Sequence, residues 1–430
     1  MKNLKCQYIL DQDKRYALDL ISGEAVESLV DCSASGRENP HRDNKLQNLY
    51  LRDVYLNLHK LTKDTNEFQL FVAYPSDYSK KAEKLKYCTS YLEFVHLKDK
   101  TKHISYLESC HCSLCTCCNF FRSRSEVGQC LEIFSSLFSK QEYCDCEFLH
   151  LTLTVPSCYG EDLQHTLDRM NEAWRRLSQF TEFKKVVLGW SRSLELTRNI
   201  DPDSKSYGLW HPHFHVVLVV QKNYFRSPAY LDQLHWIYLW NRAYQVHNFR
   251  KFEKFKSWYE SFFVNGHLDK AIAPADLCTQ LRIQAVKVKR VNNDTPEARA
   301  KRLLSFLVEV LKYPFKPSNI LSGDITIDTE SVFFLDTALY HRRKWQVGGI
   351  LKDIKSELRL ADLDDDSDLI QVAGVAPEDI DFFSAWWWRT WSGDYLRGRV
   401  RSAAEKNHAR SVLGLPLLDD GSQHQSSSSI

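Results

Sequence analysis

The stretch WHPHFHVVLVV, residues 210–220, sets His211, His213 and His215 at every second position of an apolar run. Side chains two apart on a strand share a face. The spacing therefore predicts three imidazoles on one side, with Phe214, Val216, Leu218 and Val220 turned into a core on the other. Two imidazoles at i and i+2 can hold a divalent cation, and a carboxylate from the next strand can supply a third ligand while leaving positions open for a phosphate oxygen. Such a carboxylate is at hand. VVLGWSRSLELT (186–197) reads as a strand and RNIDPDSKSYG (198–208) as a turn, so the hairpin brings Glu195 opposite the histidines. Pro212 puts His211 at the entry of the strand, which makes it a secondary ligand beside His213, His215 and Glu195. Histidines merely packed or hydrogen-bonded on an apolar strand are the competing reading, and three in alternation weigh against it.

Cysteine supplies a second cluster. Thirteen are present, most of them between Cys88 and Cys158, and the densest stretch is CHCSLCTCCNFFRSR (110–124). An odd number, clustered rather than spread as a framework, favours metal ligation over disulfides in a reducing compartment. Cys112 and Cys115 form a Cys-x2-Cys knuckle that Cys88, Cys144 or Cys146 could complete as a tetrahedral Zn²⁺ site.

The elements that must position these groups are legible as α+β. FLHLTLTVP (148–156) reads as a strand closed by Pro156, and EDLQHTLDRMNEAWRRLSQFTEF as a helix. Residues 228–263 read as helical, LRIQAVKVKRV (281–291) as a basic strand, and ARAKRLLSFLVEVLKY as a helix stopped by Pro314. Upstream, LQNLYLRDVYLNLHKL is an amphipathic helix. ADLDDDSDL (361–369) reads as a solvated acidic linker, WWWRTW (386–391) as a packing segment, and 424–430 as a disordered tail. With 43% hydrophobic residues the chain can build real cores, and a net charge of +2 confines any nucleic-acid site to a local basic patch. No apolar run approaches membrane-spanning length and no signal-peptide core is visible, so a cytoplasmic protein without a membrane partner is expected.

HPHFHVVLVV resembles the His-hydrophobe-His motif of the HUH endonucleases, and in particular that of the replication initiators of rolling-circle plasmids. Order supports the likeness: FLHLTLTVP is similar to the first motif of those initiators, SLELT to a strand just before the histidines, and LVEVLKY (307–313) to the tyrosine motif. WQVGGILKDI (345–354) looks like a further segment near their ends. The likeness spans residues 110–355 and implies a central antiparallel sheet with the histidines on a middle strand, helices on one face and the tyrosine helix across the other. The chain is expected to divide into an N-terminal region of unknown role (1–105), a Cys-rich segment (106–147), a nicking domain (148–355), a C-terminal region (356–423) and the tail, the flanks lying outside the likeness.

The resemblance implies Tyr313 as the nucleophile that joins a DNA 5′-phosphate and frees a 3′-OH, with Mg²⁺ or Mn²⁺ at His213, His215 and Glu195. Glu309, one helical turn before Tyr313, is implied to activate water for a terminating cleavage, and Lys312 to hold the scissile phosphate or ease ionisation of the phenol. No second tyrosine follows at three or four residues, so a single-tyrosine enzyme is expected. Cys110, Cys115 and Cys118 reproduce a Cys-x4-Cys-x2-Cys spacing seen upstream of the first motif in those initiators. With Cys112 they are the candidate ligands of a structural Zn²⁺ that would aim Arg122 and Arg124 at DNA. Lys287, Lys289 and Arg290 could line the same groove. The implied partners are single-stranded or hairpin origin DNA, with a host helicase and polymerase. A transposase of the same superfamily and a non-catalytic zinc-dependent DNA-binding protein are the rival functions.

Overall fold

The computed structural model describes residues 6–11, 14–19, 25–33, 36–64, 77–244, 281–284, 320–360 and 379–398. Lys287, Lys289, Arg290, Glu309, Lys312 and Tyr313 lie outside the described residues, as do the acidic run at 361–369 and the tail. Numbered along the chain, the strands are β1 (Cys6–Asp11), β2 (Lys14–Asp19), β3 (Ala25–Ser28), β4 (Tyr91–Leu97), β5 (Lys102–Leu107) and β6 (Glu147–Thr154). They continue as β7 (Val187–Arg198), β8 (Trp210–Val220), β9 (Leu281–Gln284), β10 (Trp345–Gly349), β11 (Ile380–Arg389) and β12 (Asp394–Arg397). The helices are α1 (His41–Asp64), α2 (Tyr78–Tyr87), α3 (Thr116–Ser139), α4 (Leu163–Leu177), α5 (Thr181–Val186), α6 (Gln233–Tyr244), α7 (Ile325–Ala338) and α8 (Ile350–Glu357).

The chain divides into two compact units. The first, Met1–Leu46, Lys86–Cys110 and Ile370–Ile430, holds a sheet in the order β1-β2-β3-β12-β11-β4-β5, antiparallel throughout. Leu396 pairs with Ser28 and Trp386 with Leu92, so stretches from the two flanks of the sequence build one sheet. Asp394, 1% exposed, accepts from Ser28 Oγ (2.6 Å) and pairs with Arg15 (3.3 Å), which satisfies a carboxylate that burial would otherwise penalise. The tryptophan-rich strand packs as expected: Trp386 is buried and Trp387 lies 4.6 Å from Tyr91.

The second unit, Gln47–Leu85 and His111–Leu369, holds a sheet in the order β10-β7-β8-β6-β9, again antiparallel. The histidine strand β8 is the middle one, as expected. Phe214, Val216, Leu218 and Val220 are all buried, facing the side covered by α4 and α6. α4 presents Leu163, Leu167, Met170, Trp174 and Leu177 at helical spacing. Between it and the sheet, the Arg192 guanidinium lies 4.2 Å from the Phe214 ring and 5.5 Å from that of Trp174. Trp240 of α6 donates from Nε1 to the Thr154 carbonyl at 2.9 Å.

Helices flank the other face as well, and over the second half of β8 they come from the Cys-rich segment and from α8. Val217 and Val219, in phase with the histidines, pack into a core with Cys130, Ile133, Phe134 and Leu137 of α3 and with Leu351 and Ile354 of α8. The reason lies in the Cys-rich segment. It carries Cys130, Ile133, Phe134 and Leu137 at helical spacing, and that stripe needs a face to bury against.

Candidate metal centre

The β7–β8 register sets Glu195 directly opposite His213, and Ser193 opposite His215. Glu195 Oε2 lies 2.7 Å from His213 Nε2 and 2.5 Å from His215 Nε2, so one oxygen bridges both rings. The three groups can offer ligand atoms within 4.8 Å of one another. Their side chains keep 17–27% of their surface, so the cluster is open on one side. Burial alone would raise the Glu195 pKa, but the hydrogen bonds from His213 and His215 outweigh it and hold the carboxyl well below the usual range.

The far nitrogens of both rings are also engaged. His213 Nδ1 lies 3.2 Å from the His211 carbonyl, and His215 Nδ1 lies 3.3 Å from His150 Nε2. With a proton on each Nδ1, both rings would turn Nε2 lone pairs toward Glu195 Oε2. Three acceptors would then meet at one point, an arrangement that a divalent cation satisfies. His213, His215 and Glu195, the ligands expected from spacing, are thus brought together. His211 is not in the group: its ring Nδ1 sits 2.7 Å from Ser157 Oγ and its contribution is the carbonyl behind His213.

His150 escaped the sequence reading. It sits on β6, shares the histidine face through the pairing of Thr152 with His215, and stacks on the His215 ring at 5.5 Å and 15°. Burial, and then the neighbouring His215, push its pKa down to about 4, so near neutral pH it is an uncharged ring able to accept from His215. The signal was the polar alternation of His150, Thr152 and Thr154 inside FLHLTLT, in phase with the histidines once the two strands pair.

The thiols form pairs within each unit. Cys88 and Cys110 of the first unit have sulfurs within 4.8 Å, as do Cys115 and Cys118 of the second. Cys115 caps α3, its sulfur accepting from the Cys118 amide at 3.3 Å. Cys112, expected as a ligand, belongs to neither pair; its carbonyl accepts from the Cys115 amide in the turn that enters the helix. Arg122 is only 3% exposed and donates to Asn119 Oδ1 at 2.9 Å, so it does not reach out from the surface as expected, because its helix position faces the protein interior. Arg124 is exposed and lies 5.5 Å from the Phe120 ring. Among the described residues no helix is long and apolar enough to cross a membrane.

With the geometry in place, comparison with known proteins is informative. A family described as "Replication protein" matches residues 101–251 and 270–396. A "Protein rep" from Bacillus sp is 33% identical over 298 residues, covering 69% of this chain and 86% of its own length. One from Bacillus amyloliquefaciens is 31% identical, covering 69% and 78%, and one from Lentilactobacillus hilgardii is 27% identical, covering 78% and 88%. No solved structure matches. The match runs through both flanks of the histidine hairpin and takes in the hairpin itself. The chain belongs to this family of replication proteins, the rolling-circle plasmid initiators that its histidine strand resembles.

Proposed function

We propose that the chain nicks and rejoins single-stranded origin DNA through a tyrosine nucleophile, at a divalent metal held by His213, His215 and Glu195. The observation that carries this reading is the convergence of both Nε2 atoms on one Glu195 oxygen, on an open strand face. Mg²⁺ or Mn²⁺ bound there would polarise the phosphate oxygens and offset the charge that develops on them.

The residues of the chain divide the remaining work. The Tyr313 oxygen forms a bond to phosphorus, the P–O3′ bond breaks, and the phenolic proton ends on the 3′ oxygen, leaving a 5′-phosphotyrosine and a 3′-OH for a host polymerase to extend. The reverse attack by a 3′-OH rejoins the strand. Lys312 holds the phosphate, and Glu309 draws a proton from water in a terminating cleavage that releases the enzyme. Glu195 keeps its charge because both histidines face it, and the His211 carbonyl and His150 fix the rings that bracket it. Cys115 and Cys118 are proposed to ligate a structural Zn²⁺; the closeness of their sulfurs supports that reading, and zinc content by mass spectrometry should fall from one per chain to none in Cys115→Ser.

The test is to incubate purified protein with labelled single-stranded DNA carrying the hairpin origin of its own replicon, with and without Mn²⁺, and to run denaturing gels. A metal-dependent covalent adduct that vanishes in Tyr313→Phe and in His213→Ala is expected. Hairpin binding without any adduct would overturn the nicking reading in favour of a non-catalytic DNA-binding protein.

A further inference from the structure

Among the described strands β10 forms one edge of its sheet, and two clefts of about 940 and 680 Å³ lie along it. Both are lined by Trp190, Tyr340, Arg342 and Arg343, so they run together around the sheet edge. The smaller adds Lys352 and Lys355 of α8, and its lining holds seven lysines and arginines against two carboxylates, of which Arg122 and Lys344 are buried and Lys81 is paired with Asp336 at 2.6 Å. In a chain with a net charge of +2 this is a concentrated basic patch.

Aromatic planes lie among those cations. Trp190 rests on the backbone of the edge strand: a Cβ at Gly348 would come within 2.3 Å of its indole, so only glycine leaves room for the ring. Trp174 braces it edge-on at 5.0 Å, and Tyr340 is 44% exposed. By register the clefts lie along the strand that pairs with β7, around the sheet edge from the face that carries Glu195. The Lys344 carbonyl accepts from the Leu194 amide at 2.8 Å, which places the 340–344 loop beside the residue that precedes Glu195. Arg342 is paired to Asp168 at 2.7 Å, and Arg343 and Lys352 are exposed.

Cations that track phosphates, interleaved with rings that take bases, are the chemistry of a single-stranded nucleic-acid seat. We propose that this cleft binds the single strand flanking the scissile phosphate, with Arg343 and Lys352 on phosphates and Tyr340 and Trp190 against bases. Only the position of that strand next to the nick rests on the nicking reading.

The experiment measures anisotropy of a labelled origin single strand, and of a matched duplex, over a salt series in buffer without divalent cations, where no adduct forms. Arg343→Glu/Lys352→Glu should weaken single-strand binding about tenfold or more and flatten the log-log salt slope by about 1.4, the loss of two phosphate contacts. Tyr340→Ala, a surface change that leaves the fold untouched, should weaken it severalfold, and Arg343→Lys should stay near wild type. Unchanged affinity and slope in both altered-cleft proteins would overturn the proposal, and an equal loss on duplex would overturn its single-strand part. A wild-type protein that forms no adduct but shows these shifts would sink the nicking reading and leave the cleft standing; normal adduct formation with unchanged binding would sink the cleft alone.

Discussion

One face of β8 has two halves that meet different fates. His213 and His215 keep 17% and 21% of their side-chain surface, while Val217 and Val219 keep 1% and none of theirs. The backbone pattern is the same in both. What differs is cover: α3 and α8 close over the second half and leave the first open. A sealed half pins the strand between packed layers, and the open half inherits that rigidity, which adds to the contacts of Glu195 with His213 and His215 in keeping the three groups converged. Stability and ligand binding should therefore separate along a single strand.

The largest effect is expected from breaking the sealed half. Val219→Asp buries a carboxylate in an apolar core with no partner in reach, at a cost of about 3–5 kcal/mol, enough to unfold a marginal unit. Urea denaturation checks it, and a cost below about 1 kcal/mol would mean that α3 and α8 do not close over this strand. Glu195→Gln in the open half is the counterpart. Folding should shift by less than about 1 kcal/mol, whereas nicking should fall on the order of 10²–10³-fold as the charged ligand is lost. A matching fall in denaturation midpoint would show that the two halves are not separable.

The sealing helix carries its own pH signature. Burial pushes Glu126 of α3 up to about 7, against the opposing pull of Lys344, Arg122 and Lys355. A raised carboxyl pKa means that the folded state holds its proton more tightly than the unfolded one. Its contribution is complete below the unfolded value near 4.5 and is lost as pH climbs through 7, by about 3 kcal/mol in all. Denaturation midpoints taken at pH 5 and pH 8 should fall for the wild type and much less for Glu126→Gln; parallel falls would remove Glu126 as the cause.

Much of the open half could be read in the sequence, because its information is local: His213 and His215 differ by two, and Glu195 is one hairpin away. The cover could not. α3 begins inside a stretch whose cysteines dominate the eye, and its apolar stripe does not say which face it will seal. Long-range pairing was equally hidden, since nothing near Ser28 names Leu396 as its partner across more than 300 residues. The clefts at β10 went unread for a similar reason: Trp190, Tyr340, Arg343 and Lys352 come together only when the edge strand is placed.

His150 lies at the boundary between the halves, opposite Val217 in the β6–β8 register yet in contact with the His215 ring. It is buried, at 7% exposed against 1% and 0% for the valines, but its Nε2 serves the open side. If it orients His215, removing its acceptor should be felt at the metal rather than in the fold. His150→Leu fills the same space and should weaken Mn²⁺ binding about 10–100-fold, the usual effect of removing a group that holds a metal-ligating histidine in place. His150→Gln offers an amide oxygen to the same Nδ1 and should recover part of that loss. Calorimetric titration of Mn²⁺ reads both, with urea midpoints alongside. Equal metal affinity in all three proteins would return His150 to the packed half, and a loss of midpoint in proportion to the loss of affinity would mean that the strand, and not the imidazole contact, had been disturbed.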